Sequence, residues 1–180
     1  RQRVALLEGT PASALDKVIA NLKYTTGAHY LCRCLKKLGY RLAVISGGFA
    51  GVTQHVRREL DLDYDYANQL EVGDDGCFTG NTVGPIVNAQ RKADLLMTIA
   101  QQEHITLDQV IAIGDGANDL PMLSTAGLGI AFNAKQAVQG AGIFRINQPN
   151  LDTVLYVFGF SGADQLELSV RRRTIYPLVK

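Results

Sequence analysis

The chain has 180 residues, 47% of them hydrophobic and 19% charged, with a formal net charge of +1. That length buries a sizeable core as one domain, and a charge balance so near neutral gives no general field for a polyanion such as nucleic acid. No apolar run reaches the ~18 residues of a membrane-spanning helix, and "RQRVALLEGT" lacks the apolar core and cleavage site of a signal peptide. Cys32, Cys34 and Cys77 have no CxxC spacing. They argue against a disulfide framework or a zinc site and suit free thiols in a reducing cytoplasm.

Along the chain, helical and strand patterns alternate. Thr10-Pro11 opens a helix over 12–22, and a second helix over 27–38 stops at Gly39. The apolar run 40–45 reads as a strand ended by a tight turn at Ser46-Gly47-Gly48, followed by a helix over 49–60. "NQLEV" and "FTGNTV" flank "GDDG", the signal of a hairpin within 68–84. An amphipathic helix over 89–104 leads to a strand at 109–114 and a helix at 119–126. Short strands at 128–132 and 142–146 bracket a helix near 135–139, and 151–158 reads as a closing helix. This order predicts an α/β fold: a Rossmann-like parallel sheet with crossover helices. Ligands of such sheets bind at the carboxyl ends of the strands, which is where both glycine-rich turns fall.

Three constellations carry chemistry. Asp115 and Asp119, in "GDGAND", are one helical turn apart at a strand end, a spacing that suits a hard octahedral cation such as Mg²⁺. An Asx-turn at Asp115 and a helix cap at Asp119 fit the same spacing. Asn118 between them offers an amide to a ligand or a neighbouring carboxylate. Ser46 with Gly47 and Gly48 makes either a small anion cradle or a simple N-cap. Lys92, in the first turn of a helix, needs an anion or solvent to offset the helix dipole.

In this order and at these intervals, "VISGGF", a lysine and "GDGANDLPML" resemble the motifs of the haloacid dehalogenase-like phosphatases. "RVALLEGTP", "LGYRLAVISGGF", "ANQLEV", "FTGNTVGPIV", "AGLGIAFNAK" and "LDTVLYVFG" sharpen the resemblance to the phosphoserine phosphatase family, over nearly the whole chain to about Phe160. The resemblance implies Mg²⁺-dependent hydrolysis of phosphoserine in the cytoplasm, the last step of serine biosynthesis, through a phosphoaspartate. It implies that Ser46 and the Gly47 N–H hold phosphoryl oxygens and that Lys92 offsets their charge, with Arg91 an adjacent rival. Asp115 would bind Mg²⁺, Asp119 would support that shell, Asn118 would place phosphate or substrate, and Arg3 would clamp the substrate carboxylate. The partners implied are a small phosphomonoester and, at most, a second copy of the chain, with no nucleic acid and no membrane.

The family's DxDx[TV] motif, which carries the nucleophile and the general acid–base, does not occur here. The only D-x-D, in "DLDYDY", follows a charged helical end, so Asp61, Asp63 and Asp65 read as turn and surface residues. On the family pattern, residues 1–24 are a partial helical cap, 25–160 the phosphatase core without its central first strand, and 161–180 a tail of uncertain structure. In that tail Arg171, Arg172 and Arg173 read as a solvated run. The expectation is therefore the carboxyl-terminal portion of a longer phosphatase, the alternative a non-catalytic remnant that binds phosphate or a partner.

Overall fold

The computed structural model describes residues 2–139 and 144–170. Two short helices, α1 (Gln2–Ala5) and α2 (Ala14–Ala20), precede α3 (Ala28–Lys37), β1 (Ala43–Phe49) and α4 (Ala50–Glu59). The hairpin strands β2 (Tyr64–Val72) and β3 (Phe78–Val83) follow, then α5 (Ala89–Gln102) and β4 (Ile111–Gly114). A 3₁₀ turn at Ala117–Asp119 leads into α6 (Leu120–Thr125), β5 (Leu128–Phe132), α7 (Gln136–Gln139) and β6 (Phe144–Ile146). The chain then forms α8 (Val154–Val157) and α9 (Gly162–Val170). No helix among the described residues is long and apolar enough to cross a membrane.

The strands form two three-stranded sheets. In the first, β1 runs parallel to β2, and β2 pairs antiparallel with β3. In the second, β4, β5 and β6 are all parallel. Strands β1 and β4, whose ends carry the two glycine-rich segments, do not pair with each other among the described residues. The middle strand β5 is apolar on both faces because both are covered. Ile130 and Phe132 pack with Leu31 and Leu35 of α3 and with Val154 and Leu155 of α8, while Ala131 packs with Ala134 and Val138. In α3, burial of Ala28, Leu31, Cys34 and Leu35 follows the helical repeat that defined it in the sequence. Burial pushes the Cys32 thiol up to about 11, so that thiol stays protonated and unreactive at neutral pH.

One open point is filled and two expectations need correction. The first is the tail, where residues 162–170 form α9 and pack on α3. The Tyr30 hydroxyl donates to the Gln165 carbonyl at 2.7 Å, and the Lys37 ammonium to the Leu168 carbonyl at 2.6 Å. Arg171, Arg172 and Arg173 lie outside the described residues. The second is the tight turn at Ser46-Gly47-Gly48, through which β1 in fact continues. Ile45 pairs with Tyr66 and Phe49 with Asn68, so four steps on β1 face two on β2 and the serine and glycines form a bulge.

The third is Asp63 and Asp65 of "DLDYDY", whereas Asp61 is an exposed turn residue as expected. Asp65 lies within β2 opposite Val44, and its carboxylate meets the Arg57 guanidinium at 3.2 Å. Asp63 accepts from the Leu42 N–H and the Lys36 ammonium, both at 2.8 Å, and from Arg41 at 3.2 Å. Both aspartates are thus tied to basic partners and to the start of the first sheet. The local polar pattern looked like a loop because those partners, Lys36, Arg41 and Arg57, come from other elements.

Partial burial works to raise the Asp63 carboxyl, but bonds from Lys36 and the Leu42 N–H, with the Lys36 and Arg41 charges, hold it below its ordinary value. A depressed carboxylate contributes stability that is present above its unfolded pKa and lost as pH falls through the folded one. Asp63→Asn is expected to lower stability at pH 7 by about 1–3 kcal/mol. The gap to wild type should narrow as the pH drops through the acid carboxylate range. Urea midpoints at stepped pH check this, and a gap that stays constant into acid would contradict it.

Candidate active site

An open cavity of about 1590 Å³ gathers residues from the first sheet, from α5, from the loop beyond β4 and from the amino-terminal segment. Its wall includes Ser46, Gly47 and Gly48 of β1, Lys92 of α5, and Asp115, Asn118 and Asp119 beyond β4. Val4, Ala5 and Leu7 add an apolar side, and Glu71 and Asn81 of the hairpin add a polar one.

Lys92 and Asp119 are the most buried charges of the site. The ammonium donates to Asp119 Oδ1 at 2.6 Å, with each side chain only 7% exposed. Lys92 is therefore not a surface lysine. It is anchored by α5, whose N-cap Asn88 accepts from the Arg91 N–H at 2.8 Å. Arg91 gives its backbone N–H to that cap and, among the described residues, is not one that lines the cavity. Of the two adjacent cations, Lys92 is the one brought into the site.

The second oxygen of Asp119 accepts from the backbone N–H groups of Asp115 at 3.2 Å and Gly116 at 3.1 Å. Asp119 occupies the N-cap position of α6 yet makes no side-chain cap bond to that helix. Its carboxylate turns back and fixes the loop instead. Gly114 makes this turn possible, since a Cβ there would stand 2.6 Å from Asp119 Cβ. Asp115, by contrast, is exposed, and among the described residues its carboxylate makes no hydrogen bond or ion pair, so no Asx-turn holds it. Asn118 is also exposed beside it.

Ser46 does not cap α4, whose N-cap position is Phe49. Its Oγ accepts from the Gly48 N–H at 3.0 Å, which leaves the hydroxyl proton available to a ligand. Arg3 lies on α1, but its side chain is outside the described part of the structure. No group of three or more His, Cys, Asp or Glu forms a metal cage among the described residues. A Mg²⁺ ion that keeps several waters needs only one or two carboxylates beside a phosphate. The open Asp115 carboxylate, fixed in place by a loop that Asp119 holds, meets that need.

Sequence reasoning gave no role to Asn68, which is buried beneath the β1 bulge. Its signal was a residue of poor strand propensity at an inward position of β2, two before the buried Leu70. Glu71, whose carboxylate accepts from Thr79 and Asn81 and is held below its ordinary value by those two bonds, was also passed over.

Residues 1–124 match the family model of the haloacid dehalogenase-like hydrolases. The chain belongs to that family. Within it, the chain is 51% identical over 159 residues to a phosphoserine phosphatase of Streptomyces coelicolor, covering 88% of this chain and 38% of the relative. It is 46% identical over 169 residues to a probable phosphoserine phosphatase of Schizosaccharomyces pombe, covering 93% of this chain and 57% of that one. The crystal structure of a probable phosphoserine phosphatase from Vibrio cholerae superposes with a TM-score of 0.82 at 33% identity, over 96% of this chain and 52% of that one. The chain thus spans between about two fifths and three fifths of the length of these curated relatives.

Removing the lysine would strand a buried carboxylate, so Lys92→Ala is expected to cost about 3–5 kcal/mol of stability. Adding Asp119→Asn should restore part of that loss by removing the stranded charge. Urea unfolding of the two single variants and the double variant measures the coupling. Strictly additive losses would mean that the pair is not coupled.

Proposed function

We propose that the protein carrying this chain is a phosphoserine phosphatase, a phosphomonoester hydrolase that converts O-phosphoserine to serine and phosphate. The observation that carries this reading is the convergence of Ser46, Lys92, Asp115 and Asn118 on one cavity. The similarity to phosphoserine phosphatases over most of the chain supports it.

In this reading the Ser46 hydroxyl and the Gly47 N–H donate to phosphoryl oxygens. Asp119 takes one of the three N–H donors of the Lys92 ammonium, leaving two for the phosphoryl group. The positive charge is held in a buried position before substrate arrives, so little reorganisation accompanies charge development. Asn118 orients the phosphate or the serine moiety. Asp115 and Asp119 are the metal-site carboxylates, Asp115 by direct contact and Asp119 by fixing the loop. When bound, Mg²⁺ supplies Lewis-acid neutralisation of phosphoryl charge.

The attacking carboxylate of the family's DxDx[TV] motif is read as entering between β1 and β4, which carry the two halves of the cradle and do not pair with each other among the described residues. Residues 1–24 are read as part of a cap, because α1 packs on β3 and contributes Val4 and Ala5 to the cavity wall. Arg3 on that helix is assigned to the substrate carboxylate, which a guanidinium binds in two-pronged fashion.

The test is inorganic phosphate released from phosphoserine by the protein that carries this chain, with and without Mg²⁺. Release is expected to require the metal and to fall by about 10²–10³ in Asp115→Asn, the loss typical of removing one charge-stabilising group. Release that ignores both Mg²⁺ and Asp115 would contradict the reading.

A further inference from the structure

Beneath the Ser46-Gly47-Gly48 bulge, the carboxamide of Asn68 makes three bonds in a buried position. Its Nδ2 donates to the Gly47 carbonyl at 2.8 Å and to the Gly48 carbonyl at 3.2 Å. Its Oδ1 accepts from the Val87 N–H at 2.8 Å. The orientation of the amide is dictated by these partners, since the flipped form would set oxygen against two carbonyls and NH₂ against an N–H.

Each bond controls a part of the proposed phosphate site. In a planar trans peptide the carbonyl and the following N–H point in opposite directions. Holding the Gly47 carbonyl down toward Asn68 therefore turns the Gly48 N–H away from it, where it donates to Ser46 Oγ. A serine oxygen that accepts that bond presents its own proton as the donor. The third bond reaches the other half of the site. Val87 immediately precedes Asn88, the N-cap of the helix that carries Lys92. One buried side chain thus links the bulge that holds Ser46 to the helix start that holds Lys92.

We propose that Asn68 is a positioning residue for phosphate binding, which sets the Ser46 hydroxyl as a donor and fixes its spacing from Lys92. Asn68 acts through the backbone groups that its amide holds. The inference rests on the reading that Ser46 and Lys92 bind phosphate.

The test compares inorganic phosphate affinity, by calorimetry in Mg²⁺ buffer, for the wild-type chain, Asn68→Asp, Asn68→Ala and Leu70→Ala. Asn68→Asp keeps the shape and the acceptor toward Val87 but loses the donor toward the glycines. Leu70→Ala removes a buried side chain from the same strand and controls for destabilisation alone. Each Asn68 variant is expected to bind phosphate about tenfold more weakly, the effect of one lost net hydrogen bond. Leu70→Ala should bind as wild type does. In amide NMR spectra, the Gly48 N–H should lose its exchange protection in Asn68→Asp and keep it in Leu70→Ala.

Wild-type affinity in folded Asn68→Asp, or an equal loss in Leu70→Ala, would overturn the positioning role while leaving the phosphate reading intact. Should Asn68→Ala not fold, Asn68→Asp and the Gly48 amide still decide the matter. Absence of phosphate binding by the wild-type chain would overturn the functional reading, and this inference with it.

Discussion

The Lys92–Asp119 ion pair is the interaction on which the rest of the site depends. Two buried charges are costly to desolvate and are retained only with close geometry and further hydrogen bonds. Here the carboxylate uses both oxygens, one on the lysine and one on the Asp115 and Gly116 N–H groups. The pair therefore joins α5 to the loop after β4, and it sets the path of that loop. Asp115 is left open toward the cavity at the head of that loop, whose Asp115 and Gly116 N–H groups are held by Asp119. The lack of a Cβ at Gly114 follows from the same pair, since the Asp119 side chain fills that space.

The site is divided between two sheets that do not pair with each other among the described residues. The serine bulge belongs to the first sheet and the aspartate loop to the second, so something other than strand pairing must keep them in register. Among the contacts that do so, two lie nearest the site. Ile45 of β1 packs against the cluster of Leu96, Ala112, Met122 and Leu123, which joins the first sheet to α5, β4 and α6. Asn68 supplies a polar link at the site, from the bulge to the residue before the α5 cap. An apolar contact sets distance loosely, whereas hydrogen bonds set orientation. Presentation of a hydroxyl donor depends on the second kind of link.

Much of the α/β order was legible in the sequence because its signals are local. Helical repeats marked α3 and α5, and the turn "GDDG" marked the hairpin. Asp115, Asp119 and Lys92 stood out because each sits at the end of a strand or the start of a helix, and Ser46 because the glycines after it read as a strand end. What was not legible depends on contacts distant in sequence. The depth of Lys92 is set by Asp119, 27 residues away. The strand character of Asp65 depends on pairing with Val44, and the helix at 162–170 gains its place by packing on α3. Asn68 was quoted only as part of a family word because a buried amide looks like any other asparagine until its three partners are known.

The central claim is that Ser46, Lys92 and Asp115 form one phosphate-and-metal site. It is tested most directly by crystals of the chain soaked with phosphate and Mn²⁺, an anomalous scatterer that stands in for Mg²⁺ at oxygen-rich sites. The account predicts the manganese peak on the Asp115 carboxylate and the phosphate within hydrogen-bond reach of both Ser46 Oγ and Lys92 Nζ. Manganese elsewhere, such as on the Asp74-Asp75 turn, or phosphate away from Ser46 and Lys92, would contradict it.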